Sequence, residues 1–199
     1  THYGFFIYYS YNGWQFKNNR FENVKTNRQT YFGYFYYGYG SGAMDMSGNT
    51  IKNCKTSQTG NSYTYGLYAY RQVRDNDNHF DRNTIDSCDF GYYAYGLYHY
   101  YYNGTFNRNR VTNNKIEKSS GGSTYGYIYS TYGYYFYNLQ CNNNIIANNT
   151  GYYGVMGLYM FSYNSGSYKV EFKNNTIQVD ATNAQYSYHY TYGLYVYPY

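Results

Sequence analysis

An asparagine with an apolar residue two places after it recurs along this chain at Asn19, Asn49, Asn83, Asn114, Asn144 and Asn175, in the phrases NNRF, GNTI, RNTI, NNKI, NNII and NNTI. Successive asparagines lie 30, 34, 31, 30 and 31 residues apart. One polar residue kept in phase with apolar neighbours over this period is the mark of a solenoid, whose coils bury their apolar faces only by stacking. Aligned on the asparagines, other columns fall into line. Phe16, Met46, Phe80, Val111, Cys141 and Phe172 lie five residues before the apolar position, which is itself Phe21, Ile51, Ile85, Ile116, Ile146 and Ile177. Val24, Cys54, Cys88, Ser119, Asn149 and Asp180 follow it by three. Such offsets break period-two alternation, so the strand bends at the asparagine and a second strand begins. Asn tolerates left-handed backbone and bonds to nearby main chain, which suits it to the bend. Stacked at about 4.8 Å, the amides of successive coils are expected to form an internal ladder that satisfies a buried corner.

A second motif recurs once per period: Tyr3-Gly4-Phe5, Tyr65-Gly66-Leu67, Tyr95-Gly96-Leu97, Tyr125-Gly126-Tyr127 and Tyr192-Gly193-Leu194, with Gly33 and Gly157 as the remaining members. After the glycine, Leu67 and Ala69 alternate with Tyr68 and Tyr70, and Leu194 and Val196 with Tyr195 and Tyr197. That is strand periodicity, aliphatics inward and tyrosines outward. With 39 tyrosines, 21 glycines and one proline, the 199 residues read as one all-β domain. Each coil supplies about three short strands, with loops near Asp75–Asn78 and Asn183–Tyr186.

The asparagine ladder, the Gly-Leu-Tyr strand and the NNxI phrase resemble the right-handed parallel β-helix superfamily of pectate-lyase-like proteins and their surface-protein relatives. The resemblance spans residues 4–197. It implies a right-handed parallel β-helix of about six coils of roughly 30 residues. It implies no single activity, because the superfamily holds lyases, hydrolases, adhesins and passive scaffolds.

The net charge of +5 is scattered, and no basic stripe suited to nucleic acid forms. No apolar run reaches the roughly 18 residues of a membrane span. His2, His79, His99 and His189 show no metal-ligand spacing, and no metal or cofactor is expected. Three cysteines make no paired framework, so Cys54, Cys88 and Cys141 read as buried free thiols. Asn103, Asn148 and Asn174 begin Asn-x-Ser/Thr triplets and are candidate glycosylation acceptors, in keeping with an extracellular or cell-surface setting.

Two constellations offer chemistry. The column after the apolar position reads Glu22, Lys52, Asp86, Glu117, Ala147 and Gln178, so Asp86 and Glu117 are expected on adjacent rungs, with Asp81 on the same coil as Asp86. Paired carboxylates of this kind run glycoside hydrolysis. A mixed charge ladder with Lys52 is the plainer reading. Asp75-Asn76-Asp77-Asn78 begins like a calcium loop but lacks the glycine and terminal glutamate of that pattern.

The outward columns of Tyr68, Tyr70, Tyr98, Tyr195 and Tyr197 form aromatic faces for contact with another molecule or for stacking on sugars. The chain opens in THYGFFIYY and closes in TYGLYVYPY, the same strand of the repeat, and residues 119–168 carry no charge. Matched, uncapped ends suit head-to-tail homopolymerisation. The expectation is therefore a structural subunit of an extracellular fibre or surface filament. The alternative is a polysaccharide-binding or polysaccharide-cleaving β-helix.

Overall fold

The computed structural model describes residues 1–10, 13–38, 42–57, 63–70, 78–91, 93–116, 127–151, 153–162, 169–180 and 191–198. All regular elements among them are strands, and every pairing between them is parallel. Parallel neighbours need a long return path, and here the rest of each coil is that path. The chain is a parallel β-solenoid.

Three sheets wrap the core. The first stacks His2–Ser10, Thr30–Gly38, Tyr63–Tyr70, Tyr93–Thr105, Tyr127–Asn142, Gly154–Ser162 and Tyr192–Pro198 in chain order. The second stacks Arg20–Glu22, Thr50–Lys52, Thr84–Asp86, Arg110–Thr112, Ile145–Asn149 and Thr176–Val179. The third holds Lys25–Thr26, Lys55–Thr56, Asp89–Phe90 and Lys115–Ile116, and a bridge from Lys115 to Thr150 extends it by one rung. The stack amounts to about five turns rather than six. The return that would follow Asp180 falls in residues 181–190, outside the described residues.

Each coil bends twice, and at both bends a left-handed residue precedes the residue that turns inward. At the first bend these are Asn18, Gly48, Arg82, Arg108, Asn143 and Asn174, with φ between 53° and 75°. At the second they are Asn23, Asn53, Ser87, Asn113 and Asn148, with φ between 53° and 58°. Asn fills seven of these eleven positions because its short polar side chain bears this conformation at low cost.

The internal ladder is present, with one rung reassigned. Nδ2 of Asn19 donates to Oδ1 of Asn49 (2.9 Å), Asn49 to Asn83 (3.1 Å), Asn83 to Asn109 (3.2 Å), Asn109 to Asn144 (3.1 Å) and Asn144 to Asn175 (2.8 Å). Each of those Oδ1 atoms also accepts the main-chain N–H of the preceding asparagine. The fourth rung is thus Asn109, not Asn114. Asn114 stands at the second bend, where its Oδ1 accepts the Cys88 N–H (3.0 Å) and its Nδ2 donates to Asn149 Oδ1 (3.0 Å).

The slip has a simple origin. The two bends are five residues apart and share one pattern, so Asn109 with Val111 and Asn114 with Ile116 look alike. Val111 accordingly pairs with Ile85 and Ile146. Phe106 takes the core position expected of Val111, stacked 5.6 Å from Phe80, and Ile116 lies beside Phe90.

The second bend is a hybrid. Asn114 Nδ2 and Asn149 Nδ2 donate to the carbonyls of Ile85 (3.0 Å) and Val111 (2.8 Å). One and two coils earlier, the thiols of Cys88 and Cys54 point at the equivalent carbonyls of Ile51 (3.8 Å) and Phe21 (3.5 Å). All three cysteines are free and buried, as expected. The neighbouring Cys54 thiol and burial push the Cys88 thiol well above the ordinary range.

Beneath the first sheet the core alternates in size. Phe35, Ala69, His99, Gly133 and Met160 share one buried column. A Cβ on Gly133 would lie 2.5 Å from His99 Cε1 and 2.4 Å from Met160 Sδ, so the small residue makes room for the two large ones.

Candidate functional site

The first sheet carries the feature that sets this molecule apart. Along Tyr63–Tyr70, Tyr65 and Tyr68 both face outward, because Gly66 and Leu67 together occupy the inward side. At Gly66 the coils pinch: a Cβ there would lie 2.3 Å from the Gly96 carbonyl oxygen, and one on Gly96 would lie 2.6 Å from that of Ser130. The register places Gly4, Phe32, Gly66, Gly96, Ser130, Gly157 and Gly193 at this point. Gly33 instead lies opposite Leu67. Gly126 is outside the described residues, and Tyr129-Ser130 stands where Tyr125-Gly126 was expected.

The break in alternation yields three outward columns that run the length of the sheet, and Tyr63, Tyr93 and Tyr127 form a shorter fourth beside the first. The first is Tyr3, Tyr31, Tyr65, Tyr95, Tyr129, Met156 and Tyr192. The middle column is Phe6, Tyr34, Tyr68, Tyr98, Tyr132, Tyr159 and Tyr195, and the third is Tyr8, Tyr36, Tyr70, Tyr100, Tyr134, Phe161 and Tyr197. All but Phe6, Met156 and Phe161 are tyrosines. Tyr68, Tyr70, Tyr98, Tyr195 and Tyr197 stand in these columns as expected. The first column, before the glycine, was legible only in the Tyr-Gly motif itself.

Strand spacing dictates how the rings sit. Ring centroids in the middle column repeat at 4.9 Å (Tyr34–Tyr68), 4.6 Å (Tyr68–Tyr98), 5.0 Å (Tyr98–Tyr132), 5.2 Å (Tyr132–Tyr159) and 4.7 Å (Tyr159–Tyr195), with planes within 13° of parallel. Carbon surfaces touch at about 3.5–4.0 Å, so rings repeating at about 4.8 Å meet face to face only if tilted by about 35–45° from the axis. Neighbouring columns tilted oppositely then cross at nearly a right angle. Tyr31–Tyr34, Tyr65–Tyr68, Tyr95–Tyr98 and Tyr129–Tyr132 cross at 82°, 79°, 89° and 83°. The middle and third columns tilt alike, with Tyr68–Tyr70 and Tyr132–Tyr134 at 1° and 8°. The face is a herringbone of aromatic rings, each pair favourable by about 0.5–1.5 kcal/mol beyond the area buried.

This packing decides what the face presents. Within a column both faces of each ring are covered by the rungs above and below, and a row of ring edges is left outward. A sugar ring stacks on an aromatic face, so Tyr68, Tyr70 and Tyr98 offer it no platform. Burial, with the neighbouring phenols adding to it, pushes Tyr31 and Tyr129 up to about 12, and Tyr34, Tyr65, Tyr68, Tyr95, Tyr98 and Tyr132 higher still. The centre of the face is therefore a patch of neutral phenols.

The rung neighbour of Asp86 is not the expected carboxylate. The partner of Asp86 on the next rung is Thr112, because the fourth coil is displaced by five residues; Glu117 lies outside the described residues. Asp86 Oδ1 accepts from Thr112 Oγ1 (2.7 Å) and Asn113 Nδ2 (2.7 Å), Oδ2 accepts from Ser87 Oγ (3.1 Å), and Lys52 Nζ is 3.7 Å away. Burial alone would raise its pKa, but these donors outweigh burial and hold it below the usual carboxylate range. A glycosidase acid needs the opposite shift. Asp81 is likewise engaged, accepting from Thr105 Oγ1 (2.7 Å) and the Asn107 N–H (2.6 Å), with His79 Nδ1 at 3.6 Å.

Asp75, Asn76 and Asp77 lie outside the described residues, and Asn78 is a buried strand residue whose Oδ1 accepts the Met44 N–H at 2.9 Å. Among the described residues no cluster of His, Cys, Asp or Glu has the grouping of a metal site. No described helix is long and apolar enough to cross a membrane. Of the three glycosylation triplets, Asn103 is buried, whereas Asn148 and Asn174 sit exposed at the two bends. No protein-family model, curated protein or solved structure matches this chain.

Proposed function

We propose that this chain is a structural subunit of an extracellular fibre or surface filament, in which solenoids continue end to end and associate sideways through the tyrosine face. The observation that carries the reading is the herringbone, a flat aromatic surface seven strands long. Seven rungs at about 4.8 Å and three columns make a face of about 30 by 15 Å, on the order of 450 Å². Contiguous apolar patches of this size mark interaction surfaces. Two such faces would bury about 900 Å², below the roughly 1,200 Å² of a stable pair, so one contact is weak and a repeating array of them is strong. Tyrosine suits this role, since a rigid ring with two side-chain torsions loses little entropy on contact.

The first and last described strands expose Tyr3, Phe5, Phe6, Leu194 and Tyr197, apolar surface that a further coil or a second copy would cover. Parallel coils and an asparagine ladder also support kinship with right-handed β-helix surface proteins. The exposed acceptors Asn148 and Asn174 fit an extracellular setting. Electron microscopy and light scattering of the purified chain at rising concentration test the proposal. Laterally bundled filaments are expected, and bundling should be lost in the triple variant Tyr68→Asn, Tyr98→Asn, Tyr132→Asn. Monodisperse single particles at every concentration would overturn it.

A further inference from the structure

The tyrosine face holds more than contact surface. The middle column is an unbroken run of six phenols, Tyr34, Tyr68, Tyr98, Tyr132, Tyr159 and Tyr195, with centroid steps of 4.6–5.2 Å. The columns beside it are each interrupted on one rung, by Met156 and by Phe161. We propose that the tyrosine face is a one-electron relay, in which an electron vacancy made on one phenol passes along the stacked rings and crosses its narrowest rung through Tyr159 and Tyr153.

The step needs an external one-electron oxidant, such as the ferryl haem of a peroxidase or a photogenerated ruthenium(III) complex. The oxidant takes one electron from a phenol, whose hydroxyl proton leaves to water; a neutral tyrosyl radical and the reduced oxidant result. In each hop the next phenol gives up one electron, and its proton goes to water. The first radical takes that electron and a proton from water and is a phenol again. Electronic coupling falls steeply with distance, so rings in face contact exchange an electron far faster than rings scattered over an ordinary surface. Because the rings stand with their edges outward, each hop has water at hand for its proton.

The route follows from which side chains yield an electron. A thioether and an unsubstituted benzene ring have no hydroxyl proton to release and are harder to oxidise than phenol at neutral pH. A vacancy moving up the first column therefore stops at Met156, but Tyr129 contacts Tyr159 edge-on at 5.8 Å. One moving up the third column stops at Phe161, but Tyr134 lies 6.3 Å from Tyr132 in the middle column. On the rung of Met156, Tyr159 and Phe161, Tyr159 is the only phenol of the three columns, and Tyr153, 5.9 Å from Tyr127 beside the first column, is the other described phenol of that coil. Past it, Tyr195 stacks at 4.7 Å and touches Tyr192 at 5.1 Å. An earlier rung offers three phenols, Tyr95, Tyr98 and Tyr100, so losing one there leaves two ways round.

The competing account is that stacking only stiffens the sheet. Both accounts keep the rings, so a Tyr→Phe exchange separates them: it preserves the stack and removes the oxidisable hydroxyl. The full chain carrying Tyr8→Cys is labelled there with a ruthenium photo-oxidant, since position 8 is exposed on the first rung and the native cysteines are buried. 3-Aminotyrosine, which is oxidised more readily than tyrosine, replaces Tyr195 as a trap. After a laser flash, transient absorption and electron paramagnetic resonance follow the aminotyrosyl radical.

The expected result is a clear trap radical in this chain, retained in Tyr98→Phe and largely lost in the double variant Tyr153→Phe, Tyr159→Phe, with unchanged circular dichroism in both. A trap radical undiminished by the double exchange, an equal loss in the two variants, or no trap radical at all would each overturn the relay. The assay is read on dispersed protein, so its outcome is independent of filament formation.

Discussion

Asn109→Ala tests the reassigned ladder directly. The Asn109 side chain makes four bonds: Oδ1 accepts the Asn83 N–H (2.9 Å) and Asn83 Nδ2 (3.2 Å), and Nδ2 donates to the Phe80 carbonyl (2.8 Å) and Asn144 Oδ1 (3.1 Å). Alanine leaves Asn144 Oδ1 still satisfied by the Asn109 main-chain N–H (2.9 Å). It strands the Asn83 N–H, Asn83 Nδ2 and the Phe80 carbonyl inside a corner where Asn83 and Asn109 are 0% and 2% exposed. A buried polar group left without its partner costs about 1–3 kcal/mol, so the three together, each toward the low end as the corner relaxes, cost about 4 kcal/mol.

Asn19→Ala is the internal control. It removes one donation to Asn49 Oδ1 (2.9 Å), which keeps the Asn19 N–H (3.1 Å), at a half-buried position. Its expected cost is about 1 kcal/mol. In urea, with a slope of about 2 kcal/mol per molar, the two midpoints should fall by about 2 M and about 0.5 M. Coils can open one at a time, so amide exchange at Asn83 is the local readout and should accelerate only in the Asn109 variant. Equal losses at the two positions, or an Asn83 amide as protected as before, would refute the ladder as a set of obligatory buried bonds.

Three further outcomes are expected. Cys88→Asn should be at least as stable as the parent by thermal melting, and well above Cys88→Ala, because an amide at that bend donates to Ile51 O where the thiol reaches only 3.8 Å. Gly66→Ala should cost about 1–3 kcal/mol in urea unfolding through overpacking, whereas Gly193→Ala, whose nearest neighbour would be Ile177 Cγ2 at 3.7 Å, should cost little. Asp86 has a depressed pKa in the folded chain, so its contribution is present above the unfolded carboxylate value of about 4 and is lost as pH falls through the lower folded value. The urea midpoint should already decline below about pH 6.5, because burial pushes His99 down to about 3 and only the unfolded chain takes up its proton, and below about pH 4 the decline should be less steep in Asp86→Asn than in the parent.

Much of this architecture is legible in the residues. The solenoid follows from the spacing of Asn19, Asn49, Asn83, Asn144 and Asn175, because an amide that must bond to its own copy one coil away cannot drift. The inward run of Leu67 and Ala69 against Tyr68 and Tyr70 is likewise plain, since strand alternation is a local property. The failures arise where two local environments share one chemistry. Both bends ask for a left-handed residue followed by an inward hydrogen-bonding side chain, so Asn114 satisfies the pattern that belongs to Asn109, and the error carries Val111, Ile116 and Glu117 with it. The herringbone was out of reach for another reason. Ring tilt is set by the distance between coils, a tertiary quantity, and the outward position of Tyr65 depends on the pinch at Gly66.

The two bends have a further consequence for how such a chain changes length. Ladder steps run 30, 34, 26, 35 and 31 residues, yet the arc between the bends, such as Asn109 to Asn114 or Asn144 to Asn149, holds at five. That short span works like the pin of a hinge on which belts of unequal girth are threaded. Segments added to or trimmed from the far side of a belt leave the pin untouched, so neighbouring belts of different size stay in register.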